Sequence, residues 1–568
     1  MNKKTIDLLS DTSEKSLLEP VVTNRQIQCL DTAINSLFTM PLILLMENAG
    51  RVVAENVVEH LQRKKVITPK ILIFAGPGNN GGDAIVCARY LLNQLIKAHI
   101  VLLILPKADY QGDASINYEI LKKIVSTNST IEIIEVTHKR KLNRIKNFQP
   151  DVIIDGIFGT GFRGSPEGIF QDAIELINHY NAYKIAIDIP SGVNGDTGWV
   201  QELAVKAQQT ISMGLYKRGH WLYPGRTHCG LIKIAHLGID YKKLFWAITN
   251  SSLASKKTKL DSLNNISSLK KLFASETYLL TLPFIKQIFP QRRPDGHKGT
   301  FGSVVVVAGG KGYSGAACLT ALSALRTGAG LVRLCFPLSI NSAVEKKLTE
   351  VIKVPIPTTS EGTFALSGYN QIKDVINQSD VLAIGPGVTT HPETKELIRK
   401  IILTTKIPMV LDADAINNIT VSTLLKIPKN QRANMVLTPH PGELSRLIEI
   451  TPETINRERI DLCEQWAKRL GVILVLKGAP TVIGTPEGIV FINPTGNSGL
   501  AKGGSGDVLT GLIAGFVAQG VTPAYAACVG VYLHGLCADL KVKSTTEYCL
   551  TASDLINQLP KAINQLLQ

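Results

Sequence analysis

The run from Ala501 to Gly511, AKGGSGDVLTG, crowds Gly503, Gly504 and Gly506 into a turn and follows them with Asp507. An apolar helical pattern is predicted from Val508. Glycines let backbone N–H groups converge, and the positive end of a following helix completes an anion hole. A carboxylate at its mouth would repel a phosphate. The conflict resolves if Asp507 is a general base for a hydroxyl that meets a phosphoryl group there. The alternative is a turn in which Asp507 caps the helix. Lys477, at the end of the strand-like run before KGAPT, is placed to meet phosphate oxygens as a point charge. His440, in TPHPGE, is either a site residue or a turn histidine.

The first half carries a different set. An apolar run ends in GPGNNGGD (Gly76 to Asp83), whose Gly76, Gly78 and Gly81 satisfy G-x-G-x-x-G. A dinucleotide fold also calls for an acid after the next strand, and the chain there reads Leu105-Pro106-Lys107. Asn79, Asn80 and Asp83 instead fill the loop with amides and a carboxylate. Asp155 ends a second apolar run before a glycine-rich loop to Gly164, and Asp188 ends a third before Ser191-Gly192. In an open parallel sheet such loops converge on one crevice, although each aspartate could cap the next turn.

These motifs carry two resemblances. GPGNNGGD, DGIFGTG, DIPSGVNGD and Met46-Glu47-Asn48-Ala49-Gly50 together resemble the YjeF N-terminal family, the NAD(P)H-hydrate epimerases, from about Val22 to Asp240. The resemblance implies a potassium ion held by Asn80, Asp155 and Ser191. It implies substrate contacts from Asn79, Asn80, Gly81, Gly82 and Asp83, from Gly159, Thr160, Gly161, Phe162, Arg163, Gly164 and Ser165, and from Asp188. Oxygen ligands suit a hard monovalent cation, and Asp188 is the residue expected to move a proton at the hydrated nicotinamide carbon.

HKGTFG, IGPG, DADA, TPHPGE, KGAPT and GGSGDVLTG follow in the order of the YjeF C-terminal family, the ADP-dependent NAD(P)H-hydrate dehydratases of ribokinase-like fold. That resemblance covers about Lys271 to Gln568. It implies hydrate contacts at Ala316, Gly387, His440 and Asp507, and nucleotide contacts at Lys477, Gly478, Ala479, Pro480, Thr481 and Gly506. Hydroxide is a poor leaving group on the hydrated ring; phosphate is a good one. Asp507 would therefore activate the hydroxyl, ADP would supply the phosphoryl group, and magnesium would bridge the phosphates.

The elements that must position these residues alternate. Strands are predicted at Ile71–Ala75, Ile100–Leu105, Val152–Asp155 and Lys184–Ile189, and again at Ser303–Ala308, Leu331–Phe336, Val381–Ile384, Met409–Asp412 and Val472–Lys477, with helix-length stretches between them. One long small-residue helical pattern spans Val508 to Cys537. The expected fold is α/β: a Rossmann-like three-layer domain over 1–240, a Ser-, Asn- and Lys-rich linker over 241–270, and a ribokinase-like α/β domain over 271–568.

The chain has 568 residues, 45% of them apolar and 19% charged, with a net charge of +15. No apolar run approaches membrane-spanning length, the N-terminus lacks a signal-peptide pattern, and nine scattered cysteines form no CxxC pair. A cytoplasmic homo-oligomer without membrane or nucleic-acid partners is expected, acting on NADHX, NADPHX and ADP. The dispersed positive charge suits phosphate-bearing small molecules. The rival readings are a ribokinase-type kinase for a vitamin precursor or sugar with an added nucleotide-binding domain, and a first half that senses dinucleotides without catalysis.

Overall fold

The computed structural model describes residues 9, 12–95, 97–105, 110–126, 130–249 and 272–568. The chain divides into two compact units, Glu19–Glu276 and the segment from Thr277 to Gln568 joined by the described residues up to Leu18.

The first unit is built on β1 (Lys70–Ala75), β2 (His99–Ile104), β3 (Ile131–Glu135), β4 (Val152–Gly156), β5 (Tyr183–Ile187), β6 (Gln209–Met213) and β7 (Leu231–Ala235). They lie in the order β3-β2-β1-β4-β5-β6-β7, every pair parallel. The order reverses between β1 and β4, so the loops after them flank the crevice where such sheets bind ligands. The GPGNNGGD glycines are fixed by close approach: a Cβ on Gly76 would lie 1.8 Å from the Ile157 carbonyl oxygen, and one on Gly81 would lie 1.8 Å from that of Gly76. The four predicted strands are present to within two residues. The strands β3, β6 and β7 are additional. Polar residues hide β6: Gln209, Thr210 and Ser212 are buried, and Thr210 and Ser212 each donate to a carbonyl at 2.7 Å. Helices α1 (Asn24–Phe38), α2 (Leu42–Lys64), α3 (Asn79–Gln94) and α4 (Tyr241–Thr249) also belong here. The predicted linker begins at 241, but Tyr241, Leu244 and Phe245 are buried in this unit. The remainder of that linker, and Pro106 and Lys107, lie outside the described residues.

In the second unit β8 (Ser303–Val307), β9 (Leu331–Pro337), β10 (Ile352–Ile356), β11 (Val381–Ile384), β12 (Met409–Leu411), β13 (Met435–Leu437) and β14 (Ile473–Leu476) run parallel in the order β10-β9-β8-β11-β12-β13-β14. They continue into antiparallel β15 (Val482–Gly484) and β16 (Ile489–Ile492). The long pattern from Val508 to Cys537 is two helices, α7 (Ser505–Ala518) and α8 (Pro523–Val542). Gly520, at φ 89°, and Pro523 separate them, because the first leaves helical backbone and the second starts the next helix without needing an N–H partner. Helix α7 is buried from Val508 to Ala518 and packs against α6 (Ser314–Arg326), the helix that follows α5 (Leu282–Ile288) in the chain. At Gly511 a Cβ would come within 1.9 Å of Ser323 Oγ, so glycine sets this helix spacing.

Two candidate active sites

The first unit encloses a cavity of about 750 Å³ at the carboxyl ends of β1, β4 and β5. Asn79, Asn80, Asp83, Gly159, Thr160, Gly161, Phe162, Arg163 and Asp188 line it, together with Gly78. Gly78 has nothing within 4 Å of an added Cβ, which leaves its backbone open to a ligand. The remaining candidates stand elsewhere. Gly81 and Gly82 pack inward, Gly82 toward Met46, while Ser165 donates to Glu202 at 3.2 Å and Gly164 precedes it in the same exposed loop.

Asp188 follows β5 at φ 63°, a conformation that most side chains avoid and that clusters at functional sites. Its N–H donates to Ile211 O at 2.8 Å, and its carbonyl accepts from His220 Nε2 at 2.8 Å. Burial, and then Lys217, push His220 down to about 4, so the ring is neutral and its Nδ1 accepts from the Lys217 N–H at 3.1 Å. The Asp188 carboxylate pairs with the fully buried Lys217 ammonium and accepts from Met213 N at 3.0 Å. Asp83, enclosed nearby, is held well above the usual carboxylate range by burial and then by Asp188.

Below the cavity floor, Asp155 is fully buried. It accepts from Ser191 Oγ at 2.5 Å, Ser191 N at 2.8 Å and Ile157 N at 3.2 Å. Burial raises it to about 6 against those bonds, and no basic side chain among the described residues pairs with it. The Phe158 carbonyl receives Asn80 Nδ2 at 2.9 Å, and Phe158 N donates to Ser191 Oγ at 2.9 Å. Asn80, Asp155 and Ser191 therefore gather in one knot of oxygens around a single unpaired buried carboxylate. This donor set fits a monovalent cation.

In the second unit Asp507 is the third residue of α7, which begins at Ser505 rather than at Val508, so it lies inside the first turn instead of capping it. Gly504, at φ 91°, supplies the preceding turn. Asp507 is raised to about 6, first by burial and then by Asp412, with Lys477 opposing. A Cβ on Gly506 would lie 3.2 Å from Lys477 Nζ and 3.7 Å from Asp412 Oδ2, so the missing side chain admits the ammonium to the turn. Asp412 ties the site together. Its Oδ1 accepts from Lys477 Nζ at 2.7 Å and from Thr438 Oγ1 at 2.8 Å, and its Oδ2 accepts from Thr510 Oγ1 at 2.7 Å. Burial would lower Lys477, but Asp412, and then Glu443 at 3.7 Å, outweigh it and hold the ammonium above its ordinary range.

His440 caps the helix Pro441–Ile448 through Nδ1, which accepts from Gly442 N at 3.0 Å. Burial lowers its pKa against Glu443, whose Oε1 lies 3.4 Å from the ring's Nε2. Ala316 opens toward Gly387: a Cβ on Gly387, at φ 68°, would lie 3.3 Å from that of Ala316. Gly478, Ala479, Pro480 and Thr481 leave β14 as one loop, closed by Thr481 Oγ1 donating to Gly478 O at 3.2 Å. Behind it the buried Arg459 donates to Lys477 O at 3.0 Å. Gly478 stands at φ 145°, and a Cβ there would be 2.5 Å from Arg459 Nη2. Gly478→Ala is expected to cost about 1–3 kcal/mol through backbone strain alone. An unchanged midpoint of denaturant unfolding would contradict that.

Sequence reasoning missed Asp31, Lys217 and Tyr241 in the first site, and gave no role to Asp412, Glu443 or Thr510 in the second. Asp31 did leave a signal: it falls on the Ile27–Leu30–Ile34 stripe of α1, an acid on an otherwise buried helix face.

Comparison with known proteins agrees with this division. A family model described as YjeF-related protein N-terminus matches residues 43–219, and one described as NAD(P)H-hydrate dehydratase matches residues 304–561. A bifunctional NAD(P)H-hydrate repair enzyme from Moorella thermoacetica is 36% identical, covering 96% of this chain and 97% of its own. One from Thermofilum pendens is 33% identical over 95% of each. An ADP/ATP-dependent NAD(P)H-hydrate dehydratase from Bacillus subtilis, co-crystallised with ATP and Mg²⁺, is 31% identical with a TM-score of 0.45, over 51% of this chain and 98% of that one. The chain belongs to the family of bifunctional NAD(P)H-hydrate repair enzymes.

Proposed function

We propose that this chain interconverts the R and S hydrates of NADH and NADPH in the first unit. In the second it dehydrates the S form, with ADP as phosphoryl donor and AMP and phosphate as products. The observation that carries the reading is Asp507 in the first turn of α7 beside the Lys477 ammonium, a base and a cation at an anion-binding turn. Asp507 takes the proton of the ring hydroxyl as the terminal phosphoryl group passes to that oxygen. Lys477 and the N–H groups at the start of α7 hold the phosphoryl oxygens. The carbon–oxygen bond then breaks toward phosphate, pushed by the ring nitrogen, and proton loss from the adjacent carbon restores the ring double bond.

Ala316, Gly387, His440 and Asp507 face the hydrate in this reading, and Lys477 to Thr481 with Gly506 face the nucleotide. Asp412, Glu443 and Asp507 surround Lys477, yet no three acidic, histidine or cysteine groups among the described residues form a metal-holding cluster. Magnesium would arrive with the nucleotide and would neutralise phosphate charge there. In the first unit Asn80, Asp155 and Ser191 would hold potassium, which fixes the floor of the cavity. Epimerisation is expected to be faster in potassium than in tetramethylammonium buffer, and Asp155→Asn should abolish the difference. Equal rates in both salts would remove potassium from the proposal. We further propose that the enzyme is a homo-oligomer, acts in the cytoplasm and has no nucleic-acid partner. Separately, no helix among the described residues is long and apolar enough to cross a membrane.

The test is incubation with mixed hydrate epimers, ADP and magnesium, followed by chromatography. Reduced nicotinamide, AMP and free phosphate should appear together, with both epimers consumed. Accumulation of a phosphorylated small molecule without reduced nicotinamide would favour the kinase reading.

A further inference from the structure

Inversion at the hydrated carbon by loss and return of water needs two proton-handling groups. One protonates the departing hydroxyl, and the other takes a proton from the water that adds to the opposite face. The cavity holds a carboxyl group suited to the first task that comes from outside the sheet. Asp31, on α1, lines the cavity together with Ile27, Gln28 and Tyr241. The buried Tyr241, at the head of α4, donates its hydroxyl to Asp31 Oδ1 at 2.6 Å. Asp188 enters the same cavity from the end of β5.

Resting on the epimerase reading of this cavity, we propose that Asp31, oriented by Tyr241, is a second catalytic carboxyl group that works with Asp188 in a two-sided exchange of water. In one direction Asp31 gives its proton to the ring hydroxyl. The carbon–oxygen bond breaks, water leaves, and the ring nitrogen's lone pair forms the carbon–nitrogen double bond. Water then adds to the other face, its oxygen bonding to carbon, while its proton passes to Asp188 and the electron pair returns to nitrogen. The opposite epimer runs the same steps with the carboxyl groups exchanged, so no net proton or electron is consumed.

The charges around the pair divide the two roles. Asp188 is paired with the buried Lys217 ammonium. Asp31 is raised to about 6, chiefly by burial; the Tyr241 hydrogen bond and then Lys217 oppose the rise, and Asp188 adds to it. Asp83 on α3 faces the same group and carries a raised pKa of its own. Asp31 can thus keep a proton at a pH where an ordinary carboxyl group has lost it, which the donor's role requires.

The experiment uses the full-length protein and purified hydrates. Asp31→Asn should slow epimerisation by about 10²–10⁴-fold, while dehydration of the S hydrate proceeds at the wild-type rate. Tyr241→Phe removes a hydrogen bond that favours the ionised form, so in the direction where Asp31 is the acid the alkaline limb of the epimerase kcat/KM profile should move to higher pH. A residue that only shaped the fold would leave that limb in place. In ¹⁸O-water each inversion should bring one labelled oxygen into the product epimer. If wild-type protein interconverts the epimers and Asp31→Asn does so at an equal rate, or if the inverted hydrate keeps its original oxygen, the inference fails. If wild-type protein does not interconvert them at all, the epimerase reading itself is wrong.

Discussion

Asp507→Asn should lower the rate of ADP-dependent dehydration by about 10²–10⁴-fold, the usual contribution of a general base, and leave interconversion of the hydrate epimers intact. The amide keeps the size of the side chain in the first turn of α7 but cannot accept the hydroxyl proton. Its neighbours should stay in place, because Asp412 rather than Asp507 holds Lys477, Thr438 and Thr510. The pH profile is a second reading of the same group. A base that is ionised only above about 6 loses its function as acid is added. Dehydratase kcat/KM for the free enzyme should therefore rise through about pH 6 and level off above it, and the limb should vanish in whatever residual activity Asp507→Asn shows. More than half of the wild-type rate in the variant would remove Asp507 from the chemistry.

The residues that sequence analysis found are those whose local chain already departs from ordinary strand or helix. Gly504, Gly506 and Asp507 declare themselves because glycines and a charge interrupt an apolar pattern. The loops after β1, β4 and β5 do so because strands ending in Asp or Gly-rich runs recur in order. Asp412 was visible within DADA, but its work depends on groups distant in sequence: Lys477 arrives on β14 and Thr510 on α7, and only the fold brings them to one carboxylate. Lys217 was illegible for the same reason. A lysine near the end of an apolar run reads as a solvated tip, and its complete burial follows from Asp188, Ser212 and the Met213 carbonyl closing around it. Tyr241 opens a stretch rich in Ser, Asn and Lys that lacks a strong strand and so reads as linker; its helix is amphipathic, and Asp31 gives its hydroxyl a partner in the cavity. The break between α7 and α8 was in plain view as Gly520 and Pro523, but small apolar residues continue on both sides and hid it.

Asp188→Ala should stop epimerisation, and the structure adds that it should also weaken the first unit. Lys217 has no exposed surface, and its ammonium forms its ion pair with Asp188. Removing one partner of a buried pair typically costs about 3–5 kcal/mol, because the remaining charge is left desolvated. Alanine must also adopt the left-handed backbone at φ 63° that aspartate tolerates better. Loss of activity in the single variant would therefore mix chemistry with unfolding, and the double variant Asp188→Ala/Lys217→Met separates them. With both charges gone, much of the lost stability should return in denaturant unfolding followed on the full-length protein, yet the epimers should still fail to interconvert. Given a mixture of hydrates and excess ADP, the double variant should consume the S form at the wild-type rate, since Asp507 and Lys477 are untouched. It should then stall on the R form apart from slow spontaneous inversion. Should the refolded double variant consume both epimers as fast as wild type, the Asp188–Lys217 pair would be a structural strut and the proton transfer would have to be assigned elsewhere in the cavity.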